Sequence, residues 1–271
     1  MLRIGWFSTA RSETGRRLLR ATYDSIRSGE LDAEIAFVFC NREPGESPET
    51  DLFFEQVQSY GIPLVHLTYE GFRTHHGQGP AMHGGRPSQW RVEYDRQVME
   101  CLEDYQMDLG VLAGYMLITS DEMCQRYDLI NLHPAAPNGP TGMWQQVIWR
   151  LIETRAKESG VFMHLVTPEL DRGPIVTYCT FSLRGGPFDP LWHELGDSPV
   201  EEIQARYGEE FPLFQIIRRY GAARETPLIL ATLKAFSRGK VRIRLKVVVD
   251  GDGNPISGYN LSKEIDSVAQ V

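Results

Sequence analysis

The sequence predicts an α/β architecture built on a doubly wound, mainly parallel sheet, with an antiparallel strand pair toward the C-terminal part. Three observations predict it. Through the first two-thirds of the 271 residues, short apolar runs alternate with longer stretches of helical periodicity. Those runs are apolar throughout rather than at every second position, which marks strands covered on both faces. Later, two strands follow each other with too little chain between them for a crossover helix, so they must pair antiparallel. In such a sheet ligands gather at the carboxyl ends of the strands.

In chain order, Leu2–Ser8 reads as the first strand and Gly15–Ser28 as a helix with Leu18, Leu19, Tyr23 and Ile26 on one side. Ala33–Cys40 is a second strand, Leu52–Tyr60 a helix, Pro63–Leu67 a strand, and Val92–Tyr105 a helix. Leu109–Ala113 is the fourth strand, and a small helix near Glu122–Tyr127 leads to a fifth, Leu129–Leu132. After a helix at Val147–Thr154 come the closely spaced strands Phe162–Val166 and Ile175–Leu183. Residues Pro199–Ser237 are helical with a break near Gly208–Pro212, Lys240–Val249 is a strand, and DGDGN at Asp250–Asn254 is a turn. Two stretches are expected to be long loops: Thr74–Ser88, rich in Gly, Pro and His, and Arg184–Asp197.

Composition narrows the function classes. The chain is 42% hydrophobic and 24% charged, enough to bury a sizeable core. A net charge of −8 with scattered basic residues disfavours a nucleic-acid partner. Four cysteines lie far apart with no CxxC pair, the pattern of a reduced, cytoplasmic protein. No apolar run approaches the roughly 18 residues of a membrane span, and the first residues lack the layout of a signal peptide.

Two segments carry chemistry. In DLINLHP, Asn131 and His133 stand two apart on a strand, so their side chains share a face, and Pro134 ends the strand at the carboxyl edge of the sheet. A satisfied core histidine beside a turn-forming asparagine would read the same way. In GVFMHLVTPELDRGPIV, the alternation Phe162/His164/Val166 puts His164 on one face, and a turn on Pro168 leads to Asp171 and then Gly173-Pro174, where the chain can pass close to a ligand. A plain hairpin with an acidic turn residue is the alternative.

Taken together, the two segments resemble the folate-dependent formyltransferase family headed by glycinamide ribonucleotide transformylase. That family pairs Asn-x-His-Pro with Gly-x-x-x-His-x-Val-x-x-x-Leu-Asp-x-Gly-Pro-Ile, and here His133 and Asp171 are 38 residues apart. The resemblance extends through LAGYM (Leu112–Met116) and VFCNREPG (Val38–Gly45) to DGDGNPISGY (Asp250–Tyr259), nearly the whole chain. It implies a Rossmann-like formyltransferase fold in one domain, 1–271, with an acceptor-binding half, 1–128, and a catalytic, folate-binding half, 129–271. It makes Asn131, His133 and Asp171 catalytic, and 10-formyltetrahydrofolate the formyl donor. Tyr115, Met116, Leu117, Ile118, Val166, Thr167, Glu169 and Leu170 fall where the family binds folate. The first loop, Arg11, Ser12, Glu13, Thr14 and Gly15, falls where it holds a phosphate, with Arg11 or Arg16 as counter-charge. His164 and Glu169 complete the expected acceptor contacts.

Departures bear on the acceptor. The first loop reads STARSETGRR in place of the family's Gly/Ser/Asn-rich run, PAAPNGPTGMW replaces Ser-Leu-Leu-Pro, and Val161-Phe162 replaces Thr-Ser. The expected acceptor is a small-molecule amine, glycinamide ribonucleotide by default, with an amino-sugar nucleotide or another amine as alternatives. The tRNA-modifying branch carries an extra C-terminal domain that this chain is not expected to have. A 10-formyltetrahydrofolate hydrolase would use the same residues, and its known forms carry an additional N-terminal domain. A nucleotide-binding module without catalysis is disfavoured, because no GxGxxG follows the first strand. A homodimer is left open. His75, His76 and His83 lack carboxylate or cysteine partners at ligand spacing, so no metal is expected.

Overall fold

The computed structural model describes residues 1–76, 82–83 and 86–269. It is a mixed α/β fold with mainly parallel strands. The elements run β1 (Leu2–Ser8), α1 (Glu13–Arg27), β2 (Ala33–Cys40), α2 (Pro48–Ser59), β3 (Leu64–His66), α3 (Tyr69–His76), β4 (Met82–His83), β5 (Arg86–Pro87), α4 (Gln89–Cys101), β6 (Leu109–Leu112), α5 (Asp121–Arg126) and β7 (Leu129–His133). They continue through α6 (Trp144–Glu153), β8 (Glu158–Leu165), β9 (Ile175–Ser182), α7 (Phe188–Leu195), α8 (Val200–Tyr207), α9 (Pro212–Ser237), β10 (Val241–Arg244), β11 (Val247–Asp250), β12 (Tyr259–Asn260) and α10 (Ser262–Asp266). Among the described residues no helix is long and apolar enough to cross a membrane.

The chain divides into two compact units. The first comprises Met1–Asn131, Leu165–Pro174 and Leu233–Pro255. Its strands lie in the order β7-β6-β1-β2-β3, all parallel. Phe7, Phe37, Phe39, Leu112 and Leu129 share one core with Phe72 of α3 and Tyr94, Val98 and Met99 of α4. Their neighbours of opposite parity, Trp6, Val38, Val111 and Ile130, are equally buried, so both sheet faces are covered. Local signals set the helix starts: Ser47 accepts from the Thr50 amide ahead of Pro48, and Ser120 accepts from Met123.

The second unit comprises Leu132–His164, Ile175–Thr232 and Ile256–Val271. Here β8 and β9 pair antiparallel, as the short connection requires, and β12 joins β9 in parallel. Helices α6, α7 and α9 close an aromatic core around Trp149, Phe188, Trp192, Phe211 and Phe214. Gly160 is needed here, because a Cβ would lie 2.3 Å from the Cys179 carbonyl oxygen and 3.2 Å from the Cα of Ala136.

Three expectations are corrected. Helix α3 runs on to His76, and two-residue strands β4 and β5 pair antiparallel inside the stretch read as the loop Thr74–Ser88. Residues 77–81, 84–85 and the side chain of His83 lie outside the described residues. Arg184–Asp197 is mostly helix α7, which tolerates Pro190 because the first-turn amides of a helix have no intrahelical acceptor. The single strand read at Lys240–Val249 is the hairpin β10–β11, turning on Leu245 and Lys246, both at positive φ (49° and 64°).

Candidate active site

Strand β7 ends the sheet of the first unit with Leu112 opposite Asn131. Asn131 is half-buried, and the strand stops at His133 before Pro134. Segment Leu165–Pro174 of the same unit is anchored at its start, where the Val166 amide donates to the Leu129 carbonyl at 2.7 Å. Its ends are bridged by the Leu165 amide donating to Pro174 at 2.9 Å. Gly173 is pressed against the Leu165 carbonyl. Asp171, between these fixed points, has φ 54°, a left-handed conformation in which aspartate and asparagine are enriched among non-glycine residues.

The segments expected to meet folate behave alike. Leu117 and Val166 pack on the core that contains Tyr115. Met116 and Leu170 leave large apolar side chains 57% and 55% exposed. Thr9 ties the Tyr115 loop to β1, its hydroxyl accepting from the Met116 amide at 2.8 Å. Thr167 donates to the Glu169 carbonyl at 3.1 Å, and Glu169 itself is exposed.

The first loop is open. Ala10 turns at φ 52°, Arg11, Ser12 and Glu13 are exposed, and the Ser12 side chain does not cap α1. Gly15 is buried, and a Cβ there would lie 3.5 Å from the Ser8 hydroxyl oxygen. Arg16 is paired with Glu49 at 3.0 Å, whereas Arg11 forms no ion pair among the described residues.

In the second unit His133 and His164 are both buried and both lie on the Phe162 ring, at centroid distances of 5.1 and 5.7 Å. The Nε2 atom of His133 is 2.9 Å from the Pro140 carbonyl oxygen. A carbonyl only accepts, so Nε2 carries a proton. This contact depends on the path of Ala135–Thr141, which no spacing in the sequence reveals. The same loop lines a cleft of about 940 Å³ with Arg150, Lys157 and Glu158. Among the described residues no group of three or more His, Cys, Asp or Glu is arranged to hold a metal. His76 stacks on Phe72 at 4.0 Å.

Residues 10–181 match the family described as Formyl transferase. The chain belongs to that family. The chain is similar to the phosphoribosylglycinamide formyltransferase of Haemophilus influenzae, 26% identical over 245 residues that cover 89% of this chain and 92% of that enzyme. The formyltetrahydrofolate deformylase of Escherichia coli K12 is 27% identical over 164 residues, 60% of this chain and 47% of that enzyme. The phosphoribosylglycinamide formyltransferase structure from Coxiella burnetii shares the fold, with a TM-score of 0.62 at 22% identity over 96% of this chain and 98% of that one. Membership places the chain among enzymes of the formyl-transfer class. The residues matched contain both Asn131-x-His133-Pro134 and Leu170-Asp171-x-Gly173-Pro174.

Proposed function

We propose that the protein transfers a formyl group from 10-formyltetrahydrofolate to a primary amine, with glycinamide ribonucleotide as the default acceptor. The observation that carries this reading is Asn131 and His133 on one face at the end of a parallel strand in a formyl transferase chain. The near-full-length likeness to a phosphoribosylglycinamide formyltransferase supports the choice of acceptor.

The donor fits the first unit on one observation: the two segments proposed to hold it each present an exposed large apolar side chain, Met116 and Leu170, above buried apolar neighbours. Bound there, 10-formyltetrahydrofolate supplies the formyl carbon. The Asn131 amide donates a hydrogen bond to the oxygen on which negative charge develops as the amine attacks. His133, its Nε2–H held by Pro140, donates from Nδ1, which requires the doubly protonated ring. One such donor is worth about 3 kcal/mol of barrier. Asp171 accepts the proton leaving the amine through a water. A phosphate on the acceptor docks at the uncapped start of α1, where first-turn amides and Arg11 face it.

The test is tetrahydrofolate release on mixing purified protein, 10-formyltetrahydrofolate and candidate amines. Release that depends on the amine, and a His133→Ala variant at least 100-fold slower with donor binding retained, is expected. Release that is independent of any amine, with formate as product, would establish the second reading, a hydrolase, which the match to a deformylase favours.

A further inference from the structure

Arg91 and Asp95 are one turn apart on α4, 1% and 0% exposed, with Arg91 Nη1 donating to Asp95 Oδ1 at 2.6 Å. Withdrawing two charges from water is costly, and a well-packed apolar pair of similar volume is often as stable or more so. Burial works against the charged guanidinium while the Asp95 charge raises its pKa, and the net direction is upward. The guanidinium therefore stays charged inside the first unit, hydrogen-bonded to Asp95, and the contribution of the pair has to be sought in what it holds.

The second carboxylate oxygen of Asp95 accepts from the backbone amide of Ser120 at 2.6 Å. Ser120 ends the loop that begins at Gly114 and carries Tyr115, Met116, Leu117 and Ile118, and its hydroxyl caps α5. At the other end of that loop, the Thr9 amide donates to the Gly114 carbonyl and the Thr9 hydroxyl accepts from Met116. The loop is thus pinned at both ends by buried polar contacts. The guanidinium lies over the Tyr94 ring at 5.1 Å and near that of Tyr69 at 5.9 Å. The buried Tyr115 hydroxyl, its pKa raised by burial, is coupled to the Arg91 charge. Arg91 Nε and Nη2 have no hydrogen-bond acceptor among the described residues, so the cation is oriented by Asp95 and the rings.

We propose that Arg91 and Asp95 are positioning residues for the donor-facing loop: Arg91 orients the Asp95 carboxylate, and that carboxylate fixes the Ser120 amide and with it the stance of Tyr115–Ile118. This rests on the proposed donor site. An ion pair serving stability alone would lower the melting temperature and leave the two substrates equally well bound. A positioning pair separates them.

The experiment measures donor affinity by quenching of intrinsic fluorescence with 10-formyltetrahydrofolate, the Michaelis constant for the acceptor amine, and amide hydrogen exchange of 115–120. In Asp95→Asn an amide NH₂ must face either the guanidinium or the Ser120 N–H. The expected result is a roughly 10-fold weaker donor dissociation constant, an acceptor constant within twofold, and faster exchange confined to 115–120 and the start of α5. Arg91→Met should reproduce the pattern. Thr9→Val, a nearly isosteric change that removes the contact at the other end of the loop, should give a smaller donor-selective loss even if the α4 variants do not fold. Unchanged donor affinity, or equal weakening of both substrates, in the folded variants overturns the clamp. Failure of the wild-type protein to bind 10-formyltetrahydrofolate overturns instead the donor reading on which it rests.

Discussion

Gly173→Ala tests whether the tight crossing beside Asp171 is needed. A Cβ at this position would lie 1.7 Å from the Leu165 carbonyl oxygen, 2.9 Å from its carbon and 3.2 Å from Thr167 Cγ2. A non-bonded carbon–oxygen contact needs about 3.2 Å or more, so one strand must retreat by roughly 1.5 Å. The obstructing atom is backbone, and Leu165 and Val166 are held by bonds of 2.9 and 2.7 Å to Pro174 and Leu129. The segment carrying Asp171 therefore gives way. Crowding of this kind costs about 1–3 kcal/mol, and loss of the Leu165–Pro174 bond adds about 1 kcal/mol. For a chain of this size the melting temperature should fall by about 4–16 °C. A displacement near 1 Å at the proposed proton acceptor Asp171 would cost on the order of 100-fold in rate, so kcat should drop far more than the fold weakens. Differential scanning fluorimetry and steady-state turnover on the same preparation separate the two effects. A melting point within 2 °C of wild type and a kcat within threefold would refute the steric reasoning.

Three further outcomes are expected. Leu245 is 99% exposed at φ 49°, a conformation costly for a bulky residue, so Leu245→Asn should stabilise the hairpin by about 0.5–1 kcal/mol, read as a rise of a few degrees in melting temperature. The Asp108 carboxyl is held below its ordinary value chiefly by hydrogen bonds from Arg3, so its contribution is present above the unfolded-state pKa and lost as pH falls through the folded one. Urea denaturation should accordingly show Asp108→Asn weaker than wild type by roughly 0.5–1 kcal/mol at pH 7, after allowing for solvent screening, and the gap should close as pH falls through the lowered folded-state pKa. Burial pushes the Cys40 and Cys179 thiols up to about 12 and about 11, while Cys101 is exposed. A thiol reagent at pH 8 should modify one cysteine quickly in the native protein, and four in denaturant.

The sheet of the first unit was legible because its strands are buried on both faces and read as unbroken apolar runs. Asn131 and His133 were legible because a strand has a two-residue period and Pro134 marks where it stops. Helix α7 was not, since Gly185, Gly186, Pro187 and Pro190 argue for a loop wherever the helix register is unknown. The β10–β11 turn was missed because Leu-Lys carries none of the glycine or asparagine chemistry that announces it. Arg91 and Asp95 had the one-turn spacing of a surface ion pair, and only the packing of Tyr69, Tyr94 and Tyr115 around them makes them interior. The Pro140 carbonyl at His133 is set by a loop path that local propensity does not encode.

The left-handed backbone at Asp171 narrows which residues the position admits. Glycine fits that conformation but offers no acceptor for a proton. Asparagine fits it and keeps the shape without the charge, and glutamate keeps the charge on a side chain less suited to a positive φ. Main-chain geometry and the proposed proton chemistry each accept several residues, and aspartate is where the two sets overlap. An Asp171→Asn change would therefore leave folding intact and remove only the charge, giving a lesion that expression level and thermal stability do not reveal.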